Sequence, residues 1–470
     1  MVLSAAVLSW FSELLSMSAV DYPKSLMTVV VLAAIFLISA LQSVLFGFAA
    51  VLIRKILCNP RFLPTDFVLC AFLQTLAELI LSFGRFGFPW VVLYLTQRSF
   101  LHGIQTASLF GGHFVSFLLY LVNLLSAKGI MTRLQASKGC VRRYRAFIAA
   151  VSVFSVNLLA GIWLYAKPNN RDGILAAIYQ DNHSSYEKWS GNPLTVCDEF
   201  ITAFEATYTE STAPDIILLS ETVFTVTLGR DYASPNEIGA QIEEKLCALS
   251  ARYGTAVVCG GFYHEDGKRY NAQFAFENGK RLSKVYCKRT LVPFGEYMPY
   301  EAFLTRVLPF LSEMNLSGSS LSPGSDAAVF HLKSGDFGGL ICYDSIFYQN
   351  ARNSAKNKAN CLLLSTNDSW YNDSAAIDQH YGHAVFRAVE NRKSIIRCAT
   401  TGVSGIVDAY GNTMTKSELF TRVIKESHLV LSDRTTLFTR FGYAYIPLVV
   451  ALCLIFRCFG KKRAETEGNI

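Results

Sequence analysis

The sequence predicts a membrane protein in two parts, a multi-span α-helical membrane domain and a large α/β domain outside the lipid. Hydrophobic residues make up 51% of the 470 residues and aromatic residues 13%, which is too apolar for an ordinary soluble protein of this length. The apolar residues form six long runs, most of them near the ~20 residues that cross a bilayer. A polar segment of about 270 residues follows the fifth run and is long enough for one globular domain with its own core.

The six apolar runs predict the order of the parts. They lie at 3–20, 26–53, 66–83, 104–126, 146–166 and 441–458. We expect a transmembrane domain over 1–166 with five to seven spans, an α/β domain over 167–435, a C-terminal transmembrane helix at 441–458 and a basic cytoplasmic tail at 459–470. The run 26–53 allows one long helix or two short ones. The first run is expected to be an uncleaved anchor because no Lys or Arg precedes Lys24, although Ser18-Ala19 would suit a signal-peptide cleavage site.

Basic residues beside the runs predict the orientation of the chain. They are Arg54, Lys55 and Arg61 after the second run, Lys128, Arg133, Lys138, Arg142, Arg143 and Arg145 before the fifth, and Arg457, Lys461, Lys462 and Arg463 after the sixth. Cytoplasmic loops carry an excess of Lys and Arg, so the α/β domain faces outward. The net charge of +7 then reflects this topology and attraction to anionic lipid. It does not indicate nucleic-acid binding.

The outward segment alternates strand and helix patterns, each of which is justified by its periodicity or its turn residues. The predicted strands lie at 174–179, 215–220, 255–262, 272–276, 282–287, 337–341, 361–366 and 395–400, and the predicted helices at 196–208, 234–254 and 378–393. Asn278-Gly279 suits a tight type I′ hairpin, because both positions tolerate positive φ. The pattern predicts a mixed, mostly buried sheet flanked by helices.

Three reactive side chains stand where predicted strands end: Glu221, Lys288 and Cys342. Ligands and catalytic groups gather at the carboxyl ends of strands in open α/β sheets, so we expect these three to converge. A thiol of ordinary pKa, about 8.5, is mostly protonated near neutrality and needs a base or a cation beside it. Glu221 would take the thiol proton, and Lys288 or a backbone N–H would stabilise the oxyanion of a tetrahedral intermediate. This pattern predicts acyl transfer without histidine.

Other interpretations of these residues stay open. Taken singly, Cys342 suits a small buried hydrophobe, Glu221 a helix cap and Lys288 a solvated turn residue. A Cys-His arrangement is also possible with the six histidines of the domain, of which His380 and His383 share one helical face. Of the 12 cysteines, seven lie between 167 and 440, with no Cys-x-x-Cys pair and no zinc-finger spacing. We therefore expect neither a disulfide scaffold nor a metal site, and no cofactor.

Several motifs carry a resemblance to a known family. The segment 286–299 reads Tyr-Cys-Lys-Arg-Thr-Leu-Val-Pro-Phe-Gly-Glu-Tyr-Met-Pro, and Ile341-Cys-Tyr-Asp-Ser-Ile-Phe347 surrounds the cysteine. Further matching residues are Tyr179-Gln180, Lys188-Trp189, Asn367-Asp-Ser-Trp370, Gln379-His380, Arg387-Ala-Val-Glu390, Arg397, Thr401-Gly402 and, in the membrane part, Glu78, Gly87-Phe-Pro-Trp90, Gln105 and Val115-Ser-Phe117. Together they resemble the apolipoprotein N-acyltransferases, the membrane branch of the nitrilase (carbon-nitrogen hydrolase) superfamily.

The resemblance implies a fold and an activity. The domain 167–435 would be a nitrilase-like α-β-β-α sandwich on the periplasmic side of a bacterial cytoplasmic membrane. It would move an acyl chain from a phospholipid, through a thioester on Cys342, to the α-amino group of the diacylglyceryl cysteine of a lipoprotein, with ping-pong kinetics. Glu221 would be the base and Lys288 the oxyanion stabiliser. The supporting residues implied are Glu296, Tyr343, Asp344 and, on a mobile loop near the lipid entrance, Trp189. We expect a monomer.

Two departures from the family pattern bear on activity. Leu219-Ser220 stands before Glu221 where the family has Trp-Pro, and Asp344 stands where it commonly has Glu. Glu205 and Glu210 would be poor substitutes for Glu221, because neither ends a strand. Neither departure removes a nucleophile, base or cation, so activity is still expected.

One apolar segment and two further functional classes complete the prediction. Residues 300–321 concentrate large apolar side chains outside the membrane part, which favours either a helix packed on the core or a lid against the bilayer that admits lipids. The alternative functions are a membrane-tethered amide hydrolase of the nitrilase type and a non-catalytic lipid or lipoprotein binder. A thioester that persists without an amine acceptor would separate transfer from hydrolysis.

Overall fold

The computed structural model describes residues 2–16, 24–59, 64–135, 144–165, 173–230, 233–235, 237–307 and 320–453, with residues 455 and 457. The chain divides into two compact units. One comprises Met1–Ser9, Leu32–Ala166 and Thr436–Ile470, and the other comprises Trp10–Val31 and Lys167–Thr435. We refer to them as the helical unit and the α/β unit.

Among the described residues, the helical unit contains helices and no β-strand. The helices are α1 Val2–Val7, α2 Lys24–Leu57, α3 Thr65–Ile80, α4 Leu101–Ile104, α5 Ala107–Phe110, α6 Gly112–Gln135, α7 Arg145–Leu164 and α14 Leu437–Phe441, with a 3-10 helix Leu93–Gln97 and a further helical segment at 445–453. The first residues of α2, up to Val31, belong to the α/β unit. Among the described residues, three stretches are long and apolar enough to cross a membrane: Thr28–Leu57, Gly112–Leu134 and Arg145–Leu164. The run 26–53 is one uninterrupted helix.

The structure shifts one predicted span and shortens another. The run 104–126 is interrupted at Gly111, whose φ of 81° lies in the left-handed region, so the long helix begins at Gly112. A Cβ at position 111 would lie 2.4 Å from a ring carbon of Phe438 and 2.5 Å from the hydroxyl of Tyr443, so a side chain there would clash as well as strain the backbone. The described part of the run 3–20 forms α1 and the 3-10 helix Ser9–Ser16, neither of which is of spanning length.

Several predictions fall on residues outside the described ranges. They are Ser18-Ala19, Arg61, the basic residues Lys138, Arg142 and Arg143, the tail 459–470 and most of the apolar segment 300–321. Of that segment, the short helix α11 Glu301–Val307 is described, and its Phe303 is 65% exposed.

Two of the predicted membrane-part motif residues are buried hydrogen-bond acceptors. Glu78 Oε1 on α3 accepts from the backbone N of Leu93 at 3.0 Å and from the hydroxyl of Tyr120 at 2.6 Å. Ser116 Oγ on α6 accepts from the backbone N of Tyr94 at 3.0 Å. The first backbone N–H groups of the 3-10 helix Leu93–Gln97 have no acceptor within that helix, and the bonds to Glu78 and Ser116 satisfy them.

The α/β unit contains two β-sheets. Their strands are β1 Ile174–Gln180, β2 Ile216–Leu219, β3 Ala256–Glu265, β4 Lys268–Glu277, β5 Lys280–Arg281, β6 Tyr286–Cys287, β7 Val329–Leu332, β8 Gly335–Ile341, β9 Cys361–Thr366, β10 Ser394–Ala399, β11 Gly405–Val407, β12 Thr413–Lys416 and β13 Val423–Leu429. The first sheet has the order β13-β1-β2-β3-β4-β5, with β6 also on β4, and the second has β12-β11-β10-β9-β8-β7. Strands β1, β2 and β3 run parallel, as do β8, β9 and β10.

Helices cover both outer faces of the paired sheets. They are α8 Ser185–Ser190, α9 Pro193–Thr207, α10 Ile238–Tyr253, α12 Tyr348–Lys356 and α13 Ala375–Asn391. One apolar core, with Phe200, Phe204 and Phe274, lies between α9, α10 and the first sheet. A second core, with Ile178 and Leu363, lies between the two sheets. This is the predicted α-β-β-α sandwich.

Local sequence signals place the hairpin that carries Lys288. Glu277 pairs with Lys280 across a two-residue turn, and the turn residues Asn278 and Gly279 have φ of 51° and 77°. Both values are positive, as the type I′ turn predicted from Asn-Gly requires. The returning strand is interrupted, because β5 and β6 each hold two residues rather than forming the single strand predicted at 282–287.

Candidate active site

The α/β unit brings three strand ends together. Glu221 follows β2 after one residue, Lys288 follows β6 directly, and Cys342 follows β8 directly. Cys342 opens a 3-10 helix, Cys342–Ile346, with a φ of 47°. A residue with a Cβ in the left-handed region is strained, and such strain clusters at functional sites.

Glu221 and Lys288 form a buried ion pair. The Nζ of Lys288 donates to Glu221 Oε1 at 3.0 Å and to Glu296 Oε1 at 2.8 Å. Asn271 Nδ2 also donates to Glu221 Oε1, at 2.7 Å, and the backbone N of Asn367 donates to Glu221 Oε2 at 2.8 Å. Both oxygens of Glu221 are therefore held, one by the first sheet and one by the end of β9 in the second.

These contacts set the charge states at the site. Burial, the largest influence, raises the pKa of Glu221, but the Lys288 ammonium, the Lys188 charge and the hydrogen bond from Asn271 together outweigh it, so the pKa lies below the usual range. Burial opposes the charge of Lys288, and the carboxylates of Glu221 and Glu296 overcome it, so its pKa lies well above the usual value. Burial, and secondarily the Glu221 carboxylate, raise the pKa of the Cys342 thiol, while Lys288 lowers it. At neutral pH the site holds a thiol, a carboxylate and an ammonium, so activating the thiol requires proton transfer.

Tyr343 and Asp344, two of the expected supporting residues, are buried next to Cys342. The Tyr343 ring packs edge-on against Phe347 with centroids 5.2 Å apart. Asp344 accepts hydrogen bonds from backbone and side chains around it: from Thr290 N at 2.7 Å, Tyr286 OH at 2.8 Å, Asn350 Nδ2 at 3.1 Å, and Arg289 N and Ile341 N at 3.2 Å. Its carboxylate thus ties the chain after Lys288 to the turn that holds Cys342.

Trp189 and its neighbour Lys188 lie on the short helix α8. Trp189 is 54% exposed, and its ring centroid lies 5.9 Å from that of Phe262. Lys188 is buried, and its Nζ donates to the backbone oxygen of Glu221. Burial lowers the pKa of Lys188, although the carboxylates of Asp181 and Glu221 oppose the shift. Lys188 therefore connects α8 to the residue expected to act as base.

Leu219-Ser220 stands where the family has Trp-Pro, and hydrogen bonds hold the end of β2 at this position. Ser220 Oγ donates to Asp181 Oδ1 at 2.7 Å, and both residues are buried. Leu219 is fully buried in the core against α9 and α10, and its backbone oxygen accepts from Ser365 Oγ at 2.8 Å. These bonds fix the backbone of Glu221 without the Trp-Pro pair.

The His380 side chain contacts the turn that begins at Cys342. Its Nε2 lies 3.2 Å from the carbonyl oxygen of Cys342 and 3.0 Å from Ser345 Oγ. Its Nδ1 lies 3.0 Å from Asp368 Oδ1, and Arg397 donates to Asp368 Oδ2 at 2.7 Å. These contacts hold the turn that carries Cys342, through the backbone carbonyl of Cys342 and the hydroxyl of Ser345.

The sequence did not point to Asn271, and it placed Asn367 and His380 in motifs without indicating the role of either. Each contact joins residues far apart in the chain; the bond from Asn367 to Glu221 spans 146 positions. One signal was available for Asn271, an amide residue in the interior of a strand pattern, where a polar side chain needs a partner. In the part of the chain that the structure describes, no group of three or more His, Cys, Asp or Glu could hold a metal ion.

Two family models match the chain. The model described as carbon-nitrogen hydrolase matches residues 175–428. The model described as the apolipoprotein N-acyltransferase N-terminal domain matches residues 1–125. The first match covers all the strands given above except Ile174 at the start of β1 and Leu429 at the end of β13. It also covers all the site residues described above.

Curated relatives are similar over much of the chain. The apolipoprotein N-acyltransferase of Geobacter metallireducens is 27% identical over 395 residues, which is 82% of this chain and 73% of the relative. That of Borreliella burgdorferi is 26% identical over 80% of this chain and 71% of the relative. That of Thermotoga maritima is 33% identical over 43% of this chain and 39% of the relative.

Solved structures of the nitrilase superfamily align with part of the chain. A member of branch 10 of that superfamily from Saccharomyces cerevisiae has 18% sequence identity and a TM-score of 0.41, covering 56% of this chain and 92% of its own. An amidase from a Nesterenkonia species has 18% identity and a TM-score of 0.40, covering 58% of this chain and 95% of its own.

Proposed function

We propose a function from the premise that this chain belongs to the carbon-nitrogen hydrolase family and carries the N-terminal domain of the apolipoprotein N-acyltransferases. The chain is an acyltransferase that moves an acyl chain from a phospholipid to the α-amino group of the diacylglyceryl cysteine of a lipoprotein. The observation that carries the proposal is the buried Glu221–Lys288 pair beside the Cys342 thiol, in a chain whose described residues include three helices of membrane-spanning length.

In the first half-reaction, Cys342 takes the acyl chain. Glu221 accepts the thiol proton as Sγ attacks the ester carbonyl carbon of the phospholipid, and a tetrahedral oxyanion forms. Lys288 has three N–H groups, so one can donate to the oxyanion while Glu221 and Glu296 accept the other two. The carbon–oxygen bond then breaks, Glu221 returns the proton to the departing alkoxide, and a lysophospholipid leaves behind a thioester.

In the second half-reaction, the lipoprotein amine takes the acyl chain. Its neutral nitrogen attacks the thioester carbon, and Glu221 accepts a proton from the nitrogen. The carbon–sulfur bond breaks, and the thiolate takes the proton back from Glu221, so the products are an amide and the original thiol. Because both half-reactions use Cys342, ping-pong kinetics follow, with parallel double-reciprocal lines.

The proposal also places the protein in the cell. We assign it to a bacterial cytoplasmic membrane, with the α/β unit on the periplasmic side, since the basic residues Arg54 and Lys55 end a span-length helix. It works there as a monomer without nucleic acid. Trp189, which lies on helix α8 and not on a loop, borders the lipid entrance, and Tyr343 supports the turn that holds Cys342.

Intact-mass spectrometry of the full chain in phospholipid micelles tests this function. Wild type should gain an acyl-sized adduct that discharges to a diacylated lipopeptide with a free amino terminus. Cys342→Ala should gain none, whereas the control Cys287→Ala, which removes a half-buried thiol next to Lys288, should acylate like wild type. An adduct that survives in Cys342→Ala would refute the assigned nucleophile. An adduct lost to water as fast as to lipopeptide would make the protein a hydrolase.

A further inference from the structure

A cavity of about 610 Å³ lies beside the candidate active site in the α/β unit. Its lining residues are Thr225, Val226, Thr227, Arg230, Glu237, Ile238, Gly239, Phe262, His264 and Arg269. None of these residues takes part in the proposed chemistry. We call this cavity the arginine pocket.

Strand register relates the arginine pocket to the catalytic residues. On the antiparallel pair of β3 and β4, Phe262 lies opposite Asn271, and His264 lies opposite Arg269. Side chains two residues apart on a strand point to the same face, so Arg269 shares the face of Asn271. Asn271 donates to Glu221, and the pocket therefore begins about 7 Å along the strand from a residue that binds the base.

Further contacts join the pocket to the helix that carries Trp189. Thr225 Oγ1 donates to the backbone oxygen of Lys188 at 3.4 Å. Phe262 packs between two partners, with the Trp189 ring 5.9 Å and the Arg269 guanidinium 3.8 Å from its centroid. The pocket and the candidate active site thus share Phe262 and the segment after Glu221.

The charges around the pocket favour an anion. Arg230 pairs with Glu237, so these two nearly cancel, and Arg269 adds a positive charge held over an aromatic face. His264 Nδ1 lies 3.0 Å from Thr227 Oγ1. Burial, and then the charges of Arg269 and Arg230, lower the pKa of His264, which indicates a positive potential in the pocket. The first residues of the 16-residue helix α10, Ile238 and Gly239, add the positive end of a helix dipole.

We propose that the arginine pocket binds the phosphate of the acyl-donor phospholipid. This inference rests on the proposed function. In a glycerophospholipid the three-carbon glycerol skeleton separates the ester carbonyl from the phosphate, a length comparable to the offset of about 7 Å along β4 between Arg269 and Asn271. A phosphate on Arg269 would hold the ester carbonyl at Cys342, and the guanidinium fork suits a phosphate better than an ammonium would.

Binding of short-chain lipids to the full chain tests the pocket without acyl transfer. The protein used is the Cys342→Ala variant in micelles. Three probes are compared. Diheptanoyl phosphatidylglycerol is the phospholipid, diheptanoylglycerol lacks the phosphate, and glycerol phosphate lacks the acyl chains. Adding Arg269→Gln should weaken binding of the phospholipid about tenfold more than binding of the diacylglycerol. Arg252→Gln is the matched control, because it removes an exposed arginine from the far end of α10 and should leave both affinities unchanged.

Each result supports or overturns the assignment. An equal loss for the two lipids in Arg269→Gln, or no loss for either, would overturn it. Glycerol phosphate that binds as tightly as the phospholipid would make the pocket a site for soluble phosphate and would also overturn it. The proposed function fails separately, if wild type forms no thioester in the mass experiment while the phospholipid still binds through Arg269.

Discussion

Asp344 shows how one side chain connects two parts of the site. Its carboxylate accepts from the backbone on both sides, at Thr290 after Lys288 and at Ile341 before Cys342. Its side chain is one methylene shorter than that of the Glu which the family commonly has at this position. These hydrogen bonds give Asp344 a structural role, because they fix the separation of the Lys288 ammonium and the Cys342 thiol.

The ionisation of Asp344 should limit activity in acid. Burial raises its pKa to about 6, whereas the pKa of Glu221 lies below its usual range and that of Lys288 above. Protonation below pH 6 removes charge from an acceptor of several N–H groups, so we expect kcat for thioester formation to fall with a midpoint near pH 6. Rate measurements from pH 4.5 to 8 check this, and Asp344→Asn should lower the rate and flatten that limb. An unchanged acid limb in Asp344→Asn would assign it to another group.

Protonation of Asp344 would not itself unfold the protein in acid. The folded-state pKa of Asp344 lies above the ordinary value of 3.8, so the folded protein binds this proton more tightly than the unfolded chain does. The contribution of Asp344 to the free energy of unfolding therefore increases as pH falls from 6 to 4. A thermal melt at pH 5 separates loss of activity from loss of the fold.

His380 should act by positioning the nucleophile. Removing its contacts with the Cys342 carbonyl and Ser345 loosens a strained turn, and small displacements of reacting atoms cost up to about 100-fold in rate. We expect His380→Ala to lower kcat for thioester formation about tenfold, with KM for the donor unchanged within about twofold. His380→Gln, whose side-chain amide can donate to the same carbonyl, should recover most of the rate. A larger effect on KM than on kcat would contradict this role.

The sequence identified the reactive residues but not their partners. Glu221, Lys288 and Cys342 were recognisable because each is a reactive side chain directly after a strand pattern. The partners Asn271, Asn367 and His380 come from elements that meet only in the folded sandwich. A single sequence contains no information about such pairings, so hydrogen bonds spanning 50 and 146 positions could not be anticipated.

At the scale of elements, the short helix α8 contacts the site through two neighbouring residues. Its six residues carry Lys188, which holds the backbone of Glu221, and Trp189, which covers Phe262. A helix this short is not stable by itself. A capping box stabilises its start, with Glu187 N donating to Ser184 Oγ and Ser184 N donating to Glu187 Oε2.

Removing the Ser184 cap should make α8 more mobile without changing any residue of the candidate site. Ser184→Ala is expected to destabilise α8 by about 1 kcal/mol. Amide exchange at residues 187–189 should rise, and KM for the donor should increase more than kcat falls, because α8 borders the arginine pocket. Asn192→Ala is the matched control, since it removes the cap of α9 at Leu194 and none of these contacts. Equal effects of the two variants on KM would exclude a specific role for α8.

Predicted elements succeeded where the signal was local. The Asn278-Gly279 turn and the strands before Glu221 and Cys342 follow from neighbouring residues. The interrupted strand after that turn and the helix break at Gly111 do not, because distant contacts determine both. At Gly111 the side chains of Phe438 and Tyr443 occupy the space that a Cβ would need.

At the scale of the molecule, the distribution of basic residues predicts on which side of the membrane the end of α2 and the α/β unit lie. Helix α2 ends with Arg54 and Lys55, and the exposed Cys58 follows it. In the α/β unit, Ser211 is exposed on the loop before β2. With the proposed orientation, these two positions lie on opposite sides of the membrane.

Cysteine labelling in whole cells checks this orientation. A membrane-impermeant maleimide should label Ser211→Cys in intact spheroplasts, and it should label Cys58 only after permeabilisation, with the sites assigned by peptide mass spectrometry. Cys58→Ser provides the control for the second signal. Labelling of Cys58 before permeabilisation, with Ser211→Cys protected, would reverse the proposed topology.

The division of the site between two sheets makes activity a late event in the life of the chain. The first sheet supplies Glu221 and Lys288, the second supplies Cys342, and β1 is completed only by pairing with β13 at 423–429. A partly folded domain therefore does not hold the Cys342 thiol beside Glu221. With the proposed orientation, the fold itself would delay acyl transfer until the whole domain has crossed the membrane.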